Sequence, residues 1–349
     1  MNSKRVLFYG VVVTILLLLV YIQFRTWRNF DWATFWSQTG HVNKLRILLG
    51  IVLIYVAYAL RALRWKIFLR PVRHTTTAEL LNPTVIGFTG LALLGRAGEL
   101  IRPFLIGRKT CLPFSSQIAV WAVERIFDIG AFAILLLSVI FLAASPRQLA
   151  YYDRFRDGGV VIIFLLAALI GGALLLFWKG ELIAAWVDRR FSHLASNLGH
   201  HIALRMREFR AGLDTIHNFS SLLQLVAVSL AMWGIIAVAY WEVMQSYGAG
   251  PLHRTLSDVP LLMASSMVGS LIQLPGVGGG SQLATIGTLQ HVFLASHELA
   301  ASCGILLWLV TFVSIVPAGL LIAQREGLSL RRLSSESHSE EEKEITDSQ

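Results

Sequence analysis

The sequence has 349 residues, of which 55% are hydrophobic and only 15% are charged, and its mean hydropathy is +0.62. Soluble globular domains carry about 25% charged residues, so this composition excludes an ordinary soluble protein and indicates a polytopic membrane protein. The formal net charge of +9 includes an acidic end, so the rest of the chain is more basic still and suits anionic lipid surfaces.

Six apolar runs are each close to the length of roughly 20 residues that crosses a bilayer as a helix. In chain order they are residues 6–24, 45–69, 117–143, 159–178, 221–245 and 303–324. The first run follows Lys4 and Arg5, as the apolar part of a signal peptide would. It is too long for a signal peptide and no small-x-small cleavage site follows it, so we expect an uncleaved first helix.

Two further apolar stretches, about 80–107 and 259–297, are interrupted by glycine and proline. Interrupted helices of this kind are where transporters place their binding sites. If the first stretch enters from the cytoplasm and the second from outside, the basic clusters between the runs fall on the cytoplasmic side, as do both termini. The predicted fold is therefore all-α and polytopic, with about six spanning helices and two re-entrant helical hairpins, an arrangement that allows an inverted repeat.

Two segments differ from the membrane domain that residues 1–328 are predicted to form. Residues 181–218 carry apolar side chains at steps of three or four, with arginines on the opposite face, which predicts an amphipathic helix on the cytoplasmic leaflet or a cytoplasmic hairpin packed on protein. Residues 333–349 are rich in serine and glutamate, which predicts a disordered acidic tail.

Two apolar segments contain ionisable residues, which are expensive in a membrane and by default indicate a functional site. These residues are Arg96, Glu99, Arg102, Glu124, Arg125 and Asp128. In "LLGRAGELIRPFLIG" the spacing i, i+3, i+6 places three charges on one helical face, and in "VERIFDIG" the two carboxylates are stacked at i, i+4. Arginine offers a bidentate fork for a phosphate, so the set is a candidate site for a lipid headgroup. The alternative is a buried network that only holds helices together.

The second interrupted stretch contains the sequence "QLPGVGGGSQ". Its residues of interest are Pro275, Gly276, Gly278, Gly279, Gly280, Ser281 and Gln282. A helix cannot run through this sequence, so we expect a half-helix to begin near Ser281 and to form the opposite wall of the site, unless the break only allows close packing. The sequence is neither a P-loop nor a dinucleotide fingerprint, because no Gly-Lys-Ser/Thr follows and no strand precedes it.

The segment "RALRWKIFLR" ends the second apolar run. Arg61, Arg64 and Trp65 in it are predicted to form an interfacial anchor, in which the indole lies among headgroups and the cations face phosphates. A role in recruiting headgroups is the alternative. The two cysteines, Cys111 and Cys303, lie far apart, so no thiolate metal site is predicted.

Four segments, in their order along the chain, resemble the flippase-like integral membrane family that includes the transmembrane region of lysylphosphatidylglycerol synthetases. These segments are "RALRWKIFL", "GRAGELIRPFLIG", "ERIFD" and "PGVGGG". The resemblance covers about residues 5–325. It implies a protein of the prokaryotic cytoplasmic membrane whose relatives move aminoacylated phospholipids between leaflets, and many relatives are associated with glycosyltransferases. This sequence departs from the family pattern, since Val277 replaces a glycine and Gln282 stands where a glutamate is usual.

The sequence therefore predicts a transporter that moves an amphiphilic lipid with a phosphate-containing headgroup, either a phospholipid or a polyprenyl-linked glycolipid. No catalytic residue, cofactor, metal or nucleic-acid partner is predicted; the expected partners are membrane lipids and a glycosyltransferase or other envelope-synthesis enzyme. Two alternatives remain open. One is a membrane-embedded enzyme or glycosyltransferase-partner subunit that uses Glu124 or Asp128 as a base, and the other is a scaffold without substrate.

Overall fold

A computed structural model describes residues 30–144, 152–153, 155–168, 171, 219–270, 279–328 and 336. Every regular element in these ranges is helical, which confirms the all-α prediction. The α-helices are α1 Trp32–Gly40, α2 Lys44–Leu69, α3 Thr77–Leu94, α4 Ile101–Thr110, α5 Phe114–Leu142, α6 Phe219–Gln245, α7 Val259–Gly269, α8 Gly279–His291, α9 His297–Trp308 and α10 Ile315–Arg325. Residues 155–168 are also helical.

Five described segments are long and apolar enough to cross a membrane: α2, α3, α5, α6 and the segment His297–Arg325 that contains α9 and α10. Four of them match predicted spans. The fifth, α3, was expected to be half of an interrupted stretch, yet its 18 residues reach the length of a span. Four predicted segments lie wholly or partly outside the described residues: 6–24, residues 169–170 and 172–178 of the span 159–178, the amphipathic segment 181–218, and the acidic tail except Glu336.

The first interrupted stretch forms a helical hairpin of α3 and α4. Helix α3 begins with a capping box, in which the Glu79 carboxylate accepts a bond from the Thr76 N–H at 2.7 Å and the Glu79 N–H donates to the Thr76 hydroxyl at 3.2 Å. It ends at Gly95, whose φ of 64° is favourable only for glycine. The 3₁₀ turn Gly95–Gly98 then reverses the chain, and α4 packs back along α3.

The two helices of this hairpin are in backbone contact at Gly87. A Cβ at this position would lie 2.8 Å from the Arg102 Cα, closer than real atoms approach. We expect Gly87→Ala to push α4 away and to destabilise the protein by about 1–3 kcal/mol, as overpacking usually does. Thermal unfolding in detergent would measure this loss.

The control for that variant is Gly234→Ala in the interior of α6. A Cβ there would meet nothing within 4 Å, so the change should be neutral or slightly stabilising through helix propensity. An equal loss of stability in the two variants would contradict close hairpin packing as the cause.

The second interrupted stretch also forms a hairpin. Helices α7 and α8 pack on each other, and a Cβ on Gly269 would clash with the carbonyl oxygen of Gly280. The end of α7 therefore lies against the beginning of α8. The half-helix begins at Gly279, within two residues of the predicted start, while Pro275, Gly276 and Gly278 lie outside the described residues.

Hydrogen bonds between helix ends define two sides of the molecule. The Asn43 N–H donates to the Ser246 carbonyl at 2.8 Å, so α2 begins where α6 ends, on what we call the Ser246 side. The Asn82 amide donates to the Glu326 carboxylate at 2.8 Å, so α3 begins where α10 ends, on the Glu326 side. Helices α2 and α6, the most extensively packed pair among the described elements, are consequently antiparallel.

The two hairpins enter from opposite sides. The first hairpin begins and ends on the Glu326 side. The second is attached to the Ser246 side through Arg254. The Gln245 amide donates to the Arg254 carbonyl at 2.8 Å, and the Arg254 guanidinium donates to the Phe293 carbonyl at 3.2 Å. The order span, hairpin, span thus occurs twice with opposite direction, as in an inverted-topology repeat. That the Glu326 side is cytoplasmic stays a prediction.

Candidate functional site

A buried cluster of charges occupies the contact between α2, α5 and α6. Arg64, which is fully buried, donates hydrogen bonds to Asp128 at 2.7 Å, to Glu124 at 2.6 Å and to the Ser229 hydroxyl at 3.0 Å. The carboxylates are one turn apart on α5, so a single guanidinium fork reaches both. Such a charge is tolerable in an apolar interior only because it is paired and hydrogen-bonded.

Arg102 of the first hairpin joins the same cluster. Its two terminal nitrogens both donate to Glu124, and its guanidinium lies over the rings of Trp65 and Phe88, with distances to the ring centroids of 4.4 Å and 5.1 Å. This confirms the predicted contact between the charged stretches 96–102 and 124–128. The hairpin is thereby fixed to α5 and α2.

Two further arginines lie at the edge of the cluster. Arg125 is within 3.2 Å of Asp128 and 3.5 Å of Glu124, and its side chain is 42% exposed. Arg61 lies 3.6 Å from Asp128, and its buried Nη1 has no hydrogen-bond partner among the described residues. Four guanidinium groups therefore surround two carboxylates, which leaves a surplus of two positive charges.

A cavity of about 220 Å³ extends from Arg61 along the second hairpin. Its walls come from α2, α6, both helices of that hairpin, and the last span, with Phe88 from the first hairpin. Arg61 is the only charged residue among the described lining residues. Opposite it, α8 contributes Ser281, Gln282 and Thr285. The cavity thus connects the edge of the charge cluster with the predicted broken-helix wall.

The family described as the lysylphosphatidylglycerol synthase TM region matches residues 7–319. The chain belongs to this family. A stretch of 95 residues is also 30% identical to Glycosyltransferase AglD of Haloferax volcanii, covering 27% of this chain but only 15% of that protein. No solved structure matches the chain.

In this family member the charges of the first hairpin do not share one helical face. The 3₁₀ turn Gly95–Gly98 ends before the next α-helix begins at Ile101, so Arg96 and Arg102 do not lie on one continuous helix. The prediction that the i, i+3, i+6 spacing places three charges on one helical face is therefore wrong. Arg96 lies in this turn and is exposed. Glu99 is half-buried and lines, with Arg102 and Arg125, a small pocket of about 40 Å³, which has room for ordered water.

The interfacial anchor predicted for Arg64 and Trp65 also needs correction. Both side chains are fully buried, and the Trp65 indole donates to the Gln117 amide oxygen at 3.1 Å. They are interior because α5 and α6 cover this face of α2, and α5 supplies the counter-charges Glu124 and Asp128. Arg61 is likewise turned inward, with 12% of its side chain exposed. The sequence did contain a signal for the pairing of these arginines with Glu124 and Asp128. Arg61 and Arg64 are about one helical turn apart, as the two carboxylates are, so the two pairs can face each other across neighbouring helices.

The last span contains a further irregularity beside the cavity. Leu309–Val313 forms a π-helical turn, in which the Ser314 N–H donates to the Leu309 carbonyl at 2.8 Å. Trp308, Thr311 and Phe312 from this region line the cavity. Turns of this kind occur frequently at functional sites, and here the extra residue widens the helix where it borders the cavity.

Proposed function

We propose that this protein moves an amphiphilic lipid with a phosphate-containing headgroup, either a phospholipid or a polyprenyl-linked glycolipid, between the leaflets of a prokaryotic cytoplasmic membrane. The observation that carries the proposal is a mostly apolar cavity that also contains hydroxyl and amide side chains, is bordered by hairpins that enter from opposite sides, and has Arg61 as its only described charge. A headgroup that leaves water for this cavity can contact polar side chains of the protein, whereas in the bilayer it would contact only hydrocarbon. The cavity therefore lowers the free-energy cost of its passage.

The charge balance favours an anionic headgroup. The six residues of the cluster's ion pairs have a surplus of two positive charges. The buried Nη1 of Arg61, at their edge, is 3.6 Å from Asp128 and has no hydrogen-bond partner among the described residues. A phosphate would accept a charge-assisted hydrogen bond from it. In this proposal Arg61 contacts the headgroup, Glu124 and Asp128 position the arginines, and Arg64 and Arg102 fix the helices. Arg125 remains available from the exposed edge of the cluster.

The size of the cavity limits what can enter it. Pockets for whole drug-sized ligands measure roughly 300–1,000 Å³, so about 220 Å³ suits a headgroup but not a complete lipid. The acyl or prenyl chains would remain in the surrounding bilayer while the headgroup crosses.

Leaflet exchange in liposomes tests this function. Purified protein should accelerate the exchange of labelled phospholipids or of a labelled polyprenyl phosphohexose over protein-free liposomes made in parallel. Exchange at the protein-free rate for every lipid of the panel, by protein that is folded in the liposomes, would refute the transport function.

The second candidate is a subunit that acts with a glycosyltransferase, or a membrane enzyme of glycolipid synthesis. The similarity to Glycosyltransferase AglD favours it, although the match covers 15% of that protein. Exchange by the purified chain alone would favour transport. Dependence of glycolipid synthesis on this chain in membranes, without any exchange activity, would favour the partner role.

A further inference from the structure

The lining of the cavity is mostly apolar but contains eight uncharged polar side chains among the described residues. Its hydroxyl and amide side chains are Tyr58, Tyr240, Ser266, Ser270, Ser281, Gln282, Thr285 and Thr311. No carboxylate is among the described lining residues. Most of these polar groups belong to the second hairpin, which faces Arg61 on α2. The cavity therefore combines one cationic end with a wall of neutral hydrogen-bonding groups.

Three hydroxyls of this wall are oriented as acceptors. Thr285 donates its proton to the Ser281 carbonyl at 2.8 Å, Thr311 to the Leu307 carbonyl at 2.7 Å, and Ser270 to the Met267 carbonyl at 2.6 Å. A hydroxyl that has donated its proton to the backbone still has lone pairs that accept. Gln282 adds an amide that can both donate and accept. The wall thus matches a ligand that carries several hydroxyl groups.

Two buried donors on the cavity lining have no hydrogen-bond partner among the described residues. They are the Nη1 of Arg61 and the indole Nε1 of Trp233. The Arg61 Nη1 lies 3.6 Å from the Asp128 carboxylate, an ion-pair contact that is too long for a hydrogen bond. Buried polar groups in native proteins nearly always have a hydrogen-bond partner, so donors without one beside a cavity point to a ligand with acceptor oxygens. Trp233, Tyr240 and Trp308 also give the cavity aromatic surfaces, against which the C–H faces of a ring can pack.

We infer that the headgroup is a neutral polyhydroxylated ring joined to the lipid through a phosphodiester, and not a cationic aminoacyl group. This inference rests on the proposed transport function and narrows its substrate class. The phosphodiester binds at Arg61, and the hydroxyls of a sugar or cyclitol bind along the second hairpin. A cationic headgroup would enter a cavity whose only described charge is another cation, without a carboxylate to compensate it.

Headgroup selectivity in the leaflet-exchange assay tests the inference. The probes are labelled phosphatidylinositol, a labelled polyprenyl phosphohexose and labelled lysyl-phosphatidylglycerol, with phosphatidylglycerol as the reference. We expect at least one of the two polyhydroxylated lipids to exchange about tenfold faster than the lysyl lipid, as two additional hydrogen bonds of ordinary strength would give. Equal exchange of all four lipids, or faster exchange of the lysyl lipid, would overturn the inference and leave the transport function standing. Exchange of none would overturn both.

A charge placed in the cavity should change this selectivity. Gln282→Glu is nearly isosteric and adds a carboxylate to the lining, so exchange of the polyhydroxylated phospholipid should fall about tenfold relative to that of the lysyl lipid. The matched control is Gln324→Glu, the same change at an exposed position near the end of α10. Unchanged selectivity in folded Gln282→Glu, or the same shift in both variants, would refute headgroup binding at this wall.

Discussion

Glu124→Gln is expected to reduce the free energy of unfolding by about 3–5 kcal/mol, the usual cost of breaking a buried ion pair by removing one partner. Glu124 is fully buried and accepts hydrogen bonds from both Arg64 and Arg102. Glutamine keeps the shape of the side chain but removes its charge, so four guanidinium groups would surround one carboxylate. Unfolding with sodium dodecyl sulfate in mixed micelles would measure the loss.

Glu242→Gln provides the matched control on the Ser246 side. Glu242 is also buried and pairs with Arg46 at 2.8 Å, but it has this single ion-pair partner among the described residues, and the arginine side chain is 40% exposed, so water can solvate the freed cation. The loss should therefore be smaller than for Glu124, which pairs with two buried arginines. If the two variants lost similar stability, the cluster around Glu124 would not be the buried support that the structure indicates.

Much of the fold could be predicted because hydropathy and helix breakers act locally. The described spans α2, α5 and α6, and the last span, follow from apolar length, and the turn between α3 and α4 follows from Gly95 and Gly98. The contact between Arg102 and Glu124 was also predictable, because charges in apolar segments need partners. What these patterns have in common is that each depends on a short segment and on the solvent around it.

The partners of the cluster were harder to predict. Arg61 and Arg64 stand at the end of an apolar run beside a tryptophan and a lysine, the same pattern that an interfacial anchor shows. Only the packing of α5 and α6 against α2 makes that face interior, and packing between distant segments is not visible in a single sequence. The helical face expected for residues 96–102 failed for a different reason. Gly95 and Gly98 form a tight turn that ends the helix. This local backbone preference decides where the charged side chains lie, whatever their spacing in the sequence.

The opposite directions of the two hairpins give the cavity its position. One hairpin brings Arg102 to the cluster from the Glu326 side, and the other brings Gln282 to the cavity from the Ser246 side. Arg61 lies between them, because it contacts Asp128 of the cluster and also lines the cavity. A headgroup bound at Arg61 would thus touch elements that reach from both sides, which is the arrangement needed for access from either leaflet in turn.

Arg61→Gln is therefore expected to reduce lipid exchange about tenfold or more while the protein remains folded. The variant removes the cation of the cavity and with it a charge-assisted bond to phosphate, worth about 1.5–3 kcal/mol. Its cost in stability should be small, because Asp128 keeps its closer contacts with Arg64 at 2.7 Å and Arg125 at 3.2 Å. Arg61→Lys should retain part of the activity, since the charge remains but the fork is lost.

Arg46→Gln is the control for this change, because it removes another ion-paired arginine from the same helix but outside the cavity. It should leave exchange near the wild-type rate. The assay would compare initial rates at equal amounts of reconstituted protein, after detergent-stability measurements have shown that all variants are folded. Exchange that survives in folded Arg61→Gln would remove the arginine from the path of the headgroup. The charge cluster would then be a support for the helices, and the headgroup would cross through contacts other than Arg61, which would leave the transport function standing but refute the phosphate contact assigned to this side chain.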